Sequence, residues 1–149
     1  MNQAIRISRQ FSLRSVMEAI VQGGSVSRAS LAKQTGLSKQ TISEIMRQLE
    51  DEGWVQETGR TSGHIGRTAV TYELVPSAAY IAAVDLGGTK VRVAICDLSS
   101  HVLAEVTEPT HAAGGQAVVD QIAQLCWQAA DKGGVPRGKL RIAVVGAPG

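Results

Sequence analysis

Two stretches of this chain hold residues whose type and spacing suit them to phosphates or bases. The first is Ser38-Lys39-Gln40-Thr41-Ile42-Ser43, with Arg47 four residues further on. Lysine and arginine neutralise phosphates, a glutamine amide pairs with adenine N6 and N7, and short hydroxyls reach either phosphate or base edge. The second is Asp85-Leu86-Gly87-Gly88-Thr89-Lys90. Backbone N–H groups at the two glycines and the Thr89 hydroxyl suit a phosphate, with Lys90 following and Asp85 placed for a Mg²⁺ ion. On geometry alone this loop reads first as a plain turn, because Gly-Gly is a favoured hairpin dipeptide. His64, His101 and His111 have no ligand spacing. Cys96 and Cys126 stand thirty positions apart with no Cys-x-x-Cys. Neither a metal site, a cofactor site nor a disulfide framework is expected, and the cysteines read as reduced, partly buried thiols.

The first stretch needs a helix to carry it. Residues 8–22 place Phe11, Val16, Ile20 and Val21 near helical spacing, and Gly23-Gly24 stops that helix. Ser27 is a good N-cap for a short helix, RASLAKQT, predicted to bury Ala29, Leu31 and Ala32. Gly36 allows a tight turn, and Ser38 caps KQTISEIMRQLEDE, which Gly53 ends. Ile42, Ile45, Met46 and Leu49 fall at i, i+3, i+4 and i+7, one inward stripe. Lys39, Gln40, Ser43, Glu44 and Arg47 then face outward, with Ser38 and Thr41 at the N-terminal tip. Two helices, a turn and a capped third helix fit a helix-turn-helix, whose third helix enters a major groove. An ordinary three-helix domain with a solvated polar face has the same pattern. Glu44 reads as a solvated acid. Glu50, Asp51 and Glu52 oppose the helix dipole at the C-terminal end, which is expected to point away from DNA.

The period changes at Trp54-Val55, which begins a strand, and Ala69–Val75 reads as a second. ETGRTSGHIGRT between them is predicted to be a basic, flexible wing loop. It carries Arg60 and Arg67, suited to the negative potential of a narrow minor groove. Pro76-Ser77-Ala78-Ala79 marks a boundary between a domain of residues 1–75 and another of residues 76–149. In the second, Tyr80–Leu86 and Val91–Cys96 read as strands around the glycine loop, and His101–Val106 as a third. A dinucleotide or Walker loop runs strand to helix, so strand-to-strand placement makes this a Gly-tipped hairpin. Gln116–Asp131 reads as a helix with Val119, Ile122, Ala123 and Leu125-Cys126 facing the core, and Arg141–Val145 as a last buried strand.

Charge supports this division. The 149 residues carry a net +2, but residues 1–49 hold seven bases (Arg6, Arg9, Arg14, Arg28, Lys33, Lys39, Arg47) against Glu18 and Glu44, a local +5. Residues 76–149 balance six bases with six acids. The basic segment, Arg28 included, is the phosphate-facing surface. Aromatic content of 3% argues against a base-stacking platform. The start, MNQAIRISRQ, has no apolar segment behind it, and no apolar run approaches ~20 residues, so the expected compartment is the cytoplasm.

Helix-turn-helix, a TSG…GR wing, Pro76, AAVDLGGTKVRVAICDLSSHVL and a final VVGAPG together resemble the ROK family (repressors, open reading frames, kinases). The resemblance follows its repressor branch of xylose and N-acetylglucosamine repressors. It implies an α+β fold: a winged helix-turn-helix followed by an actin-like, ribonuclease-H-type α/β domain, present here only in part. It places Asp85, Gly87, Gly88, Thr89 and Lys90 on the family's first phosphate motif. It further implies a double-stranded DNA partner, a sugar or sugar-phosphate effector, a homodimer where the sensing domain is completed, and control of carbohydrate-utilisation genes. In this family the wing often reads Gly-Arg-Pro, whereas here Gly66-Arg67-Thr68 lacks the proline. The family's catalytic aspartate, sugar-contacting residues and zinc motif belong beyond Gly149, so the chain reads as truncated and non-enzymatic. A fragment of a ROK sugar kinase and a winged-helix protein-interaction module are the alternatives.

Overall fold

Three helices and a three-stranded sheet form the first unit, Met1–Val75, of the computed structural model. The structure describes the backbone of residues 3–63 and 67–148, and the side chains of residues 7–59 and 69–148. Helix α1 (Gln3–Gly23) is followed by a two-residue strand β1 (Val26–Ser27), then α2 (Arg28–Thr35) and α3 (Lys39–Asp51). Strands β2 (Val55–Gly63) and β3 (Arg67–Leu74) form an antiparallel hairpin, and β1 pairs with β3 to give the order β1-β3-β2.

The core of this unit gathers Val16 and Ile20 of α1, Leu31 of α2, the full α3 stripe, Val26, Val55 and Tyr72. Each large apolar side chain removed from water contributes about 1.5–3 kcal/mol, so four from one helix anchor α3 firmly. The 3.6-residue period was decisive only for α3. Phe11 and Val21 of α1 are 66% and 61% exposed, and Ala29 of α2 is exposed while Ala32 is half-buried. Leu13, Met17 and Ala19 pack beside Val16 and Ile20 instead, and Phe11 and Val21 lie on the opposite side of α1, so near-helical spacing over-counted its core contacts.

The predicted wing loop is mostly strand. β2 continues to Gly63, opposite Arg67, with a register shift between Glu57 and Gly59. Gly, Ser and Thr suggested a loop, yet cross-strand pairing runs from Val55 opposite Leu74 to Gly63 opposite Arg67. The tip, residues 64–66, lies outside the described residues.

In the second unit, Pro76–Gly149, strands β4 (Tyr80–Leu86), β5 (Lys90–Asp97) and β6 (Val102–Pro109) form an antiparallel meander. Helix α4 (Gly115–Lys132) crosses to β7 (Leu140–Gly146), which pairs parallel to β4 and closes the order β6-β5-β4-β7. Alternation puts Tyr80, Ala82 and Val84 of β4, and Val91, Val93 and Ile95 of β5, on the face that α4 covers with Leu125, Cys126, Ala129 and Ala130. Two expectations fail here. β7 is an exposed edge strand, with Ile142, Val144 and Val145 open to solvent, because α4 lies over β5 and β6. An apolar run signals a strand but does not supply the layer that buries it. Val119 and Ala123 are likewise exposed, and Ile122 is half-buried.

Candidate nucleic-acid interface

The turn between α2 and α3 is built by local hydrogen bonds. Gly36 adopts φ 72°, a left-handed conformation that favours glycine, and its N–H donates to the Ala32 carbonyl at 3.0 Å. The Thr35 hydroxyl donates to the Leu31 carbonyl at 2.7 Å, and the Leu37 N–H donates to the Thr35 hydroxyl at 3.3 Å. The Ser38 hydroxyl then accepts the Thr41 N–H at 3.1 Å and starts α3. At α2, Ser27 and Ser30 form a reciprocal capping box.

Helix α3 therefore has two distinct faces. Ile42, Ile45, Met46 and Leu49 are buried, whereas Lys39, Gln40, Glu44 and Arg47 are exposed. The predicted recognition residues divide by what already engages them. The Ser43 hydroxyl donates back to the Lys39 carbonyl (2.9 Å), and the Ser38 and Thr41 hydroxyls are 2.8 Å apart. The Gln40 amide donates to Glu44 Oε1 at 3.1 Å, so Glu44 holds Gln40 along the helix surface. Lys39 and Arg47 have no ion pair among the described residues, and both cations stand open on the same face.

Arg28 sits differently. Its guanidinium lies 3.1 Å from Glu50 Oε2 and 5.1 Å from the Tyr72 ring centroid. It ties the start of α2 to the end of α3 and to β3, so contact with a phosphate would compete with Glu50. This pair, with the Gln48 amide donating to Glu52 at 2.8 Å, gives the acidic end of α3 partners that the sequence did not reveal. Burial pushes the Tyr72 phenol up in pKa, and the charge of Arg28 partly opposes that. Arg60 stands in β2 opposite Val70, and Arg67 opens β3 opposite Gly63. The side chains of both lie outside the described residues.

The glycine loop of the second unit is a hairpin turn between β4 and β5, closed by Gly87 N–H donating to the Lys90 carbonyl at 2.9 Å. The Thr110 hydroxyl donates to the Gly87 carbonyl (2.7 Å) and the Thr110 N–H to the Thr89 carbonyl (3.0 Å), pinning the turn from the residue that follows β6. A Cβ at Gly87 would lie 3.1 Å from the Lys90 carbonyl oxygen, a close approach that favours glycine there. Gly87 and Gly88 line a cleft of about 640 Å³ whose other walls include Thr110, Gly115, Val118, Val145 and Pro148. Asp85, Thr89 and Lys90 are exposed and do not line it. Among the described residues, no group of three or more His, Cys, Asp or Glu is placed to hold a metal ion, and no helix is long and apolar enough to cross a membrane.

Residues 12–56 match the family described as winged helix-turn-helix DNA-binding. The chain is 29% identical over 124 residues to the DNA-binding transcriptional dual regulator NagC of Escherichia coli K12, covering 80% of this chain and 30% of that protein. It is 28% identical over 90 residues to the xylose repressor of Bacillus subtilis, covering 60% of this chain and 23% of the repressor. The crystal structure of a ROK-family transcriptional regulator, a homologue of the E. coli MLC protein, superposes with a TM-score of 0.72 at 23% identity. That match covers 95% of this chain and 36% of the regulator. The chain thus spans about a third or less of the length of these relatives.

Proposed function

We propose, from the premise that this chain resembles the ROK-family transcriptional regulators in both sequence and fold, that it is the DNA-reading portion of such a regulator. The observation that carries the reading is the two-faced α3. Four apolar side chains fix it in the unit, and its Ser38-capped N-terminus and open Lys39, Gln40 and Arg47 face solvent. In the proposed complex, α3 lies in a major groove. Lys39 and Arg47 meet phosphate or guanine, and Gln40 leaves Glu44 to pair with adenine. Ser38, Thr41 and Ser43 supply phosphate contacts, and the β2–β3 wing brings Arg60 and Arg67 to the adjacent minor groove.

Residues 76–149 are read as the first part of a sensing domain. Its effector is a sugar or sugar phosphate held near Gly87 and Gly88, and its output is repression of carbohydrate-utilisation genes by a cytoplasmic homodimer. Regulation rather than phosphoryl transfer is proposed, since the relatives quoted above bear the names of regulators. Selection from a randomised duplex pool tests the reading. A recovered consensus bound at least about tenfold tighter than its scrambled form supports it, since each mismatched base pair costs about 1–3 kcal/mol. Equal binding to both duplexes would overturn it.

A further inference from the structure

Helix α1 is much longer than its core contacts require. Val16 and Ile20 are its buried residues, while Ile7, Phe11 and Val21 are exposed large apolar side chains. These three, with Arg14 and Glu18, fall at positions 7, 11, 14, 18 and 21. The steps of four, three, four and three describe a single heptad seam on the face turned from the core. Its centre is charged: Arg14 Nε lies 2.8 Å from Glu18 Oε1, with the two side chains 77% and 55% exposed. A basic residue four positions before an acidic one is the weaker orientation for support within a helix. The same two residues are complementary to their own copies when two such helices run antiparallel.

We infer that this outer face of α1 is a self-pairing surface, on which two copies of the chain pack antiparallel with Arg14 opposite Glu18 of the other copy and Phe11 opposite Val21. That register matches the four layers from Phe11 to Val21, and leaves Ile7 opposite Ser25, beyond the end of α1. Two reciprocal ion pairs lie at the two-fold axis, and an apolar pair flanks them on each side. A parallel arrangement sets Arg14 against Arg14 and Glu18 against Glu18, so the charges select direction and register. The apolar pairs supply the burial. With four layers, the seam is that of a weak, reversible dimer. The inference deepens the homodimer reading above and does not depend on DNA.

Charge reversal in the 149-residue chain, followed by sedimentation without DNA, tests it. Arg14→Glu alone and Glu18→Arg alone each place like charges in both central layers and should weaken self-association about tenfold or more. An equimolar mixture of the two variants restores complementarity in both layers and should associate as wild type does. Loss of an intrahelical pair would not be repaired by mixing. The register has its own readout. Phe11→Cys mixed with Val21→Cys should form a disulfide-linked dimer under mild oxidation, and neither variant alone should. Like residues stand about 15 Å apart along the axis in this register, beyond disulfide reach. A wild-type dimer whose charge variants fail to rescue each other overturns this surface and leaves the homodimer reading standing. A monomeric wild type overturns this surface, and DNA binding by that monomer would leave the DNA reading intact. Equal self-linking of Phe11→Cys alone overturns the antiparallel register.

Discussion

Lys39 and Gln40 are neighbours on α3 with separable tasks. Lys39 is an open cation, so Lys39→Ala should weaken binding by a similar factor on every duplex, as should Arg67→Ala at the wing. Gln40 is an amide held by Glu44, and Gln40→Ala should relax preference at one base pair by about 1–3 kcal/mol. Competition assays on single-base variants of the selected duplex measure both. An unchanged preference after Gln40→Ala contradicts the proposed orientation of α3. Arg28 belongs to a different account, joining Glu50 and Tyr72. The ion pair is partly exposed, so Arg28→Ala should cost about 1 kcal/mol or less in thermal unfolding. Tyr72 adds a pH dependence. Burial holds its phenol neutral beyond the ordinary value of about 10, so the unfolded chain ionises first as pH rises. The stability Tyr72 contributes is complete below about pH 10 and is lost as pH climbs through the folded value. Tyr72→Phe should flatten that alkaline decline. An identical decline in the variant would mean other groups cause it.

Elements were legible where a local rule is sufficient. The i, i+3, i+4, i+7 stripe of α3 requires only helical geometry, and the Ser27 and Ser38 caps require only their own first turns. The hairpin around Gly87-Gly88 follows from alternation on both sides of the turn. Burial was less legible, because it depends on what lies across the element. Phe11, Val21, Val119 and β7 carry apolar residues that nothing among the described residues covers, and Arg28 finds partners twenty-two and forty-four positions away. The wing was misread because Gly and Ser mark loops statistically, whereas pairing with β3 fixes β2 to Gly63. The caps make a direct prediction. Ser38→Ala removes the acceptor for the Thr41 N–H and should cost about 1 kcal/mol of stability. It should also weaken DNA binding, since it frays the tip of α3. Unfolding midpoints and anisotropy titrations of the same variant measure the two effects, and an unchanged midpoint would remove the cap from the account.

At the scale of the whole chain, the two compact units meet at Val75 and Pro76, and each has its own apolar cluster. Residues 1–75 alone should therefore fold cooperatively with a helical spectrum, and an unfolded spectrum would show that the first unit depends on the second. The second unit presents an open β7 edge and is expected to be the aggregation-prone part. The role proposed for the first unit is to read DNA through α3 and the wing. Its most direct test is the affinity of the 149-residue chain for the selected duplex as salt is varied. With Lys39, Arg47, Arg60 and Arg67 each neutralising a phosphate, log affinity should fall against log salt with a slope of about −3.6, from about −0.9 per phosphate. The Lys39→Ala slope should be shallower by about one. A wild-type affinity that does not change with salt would contradict the account.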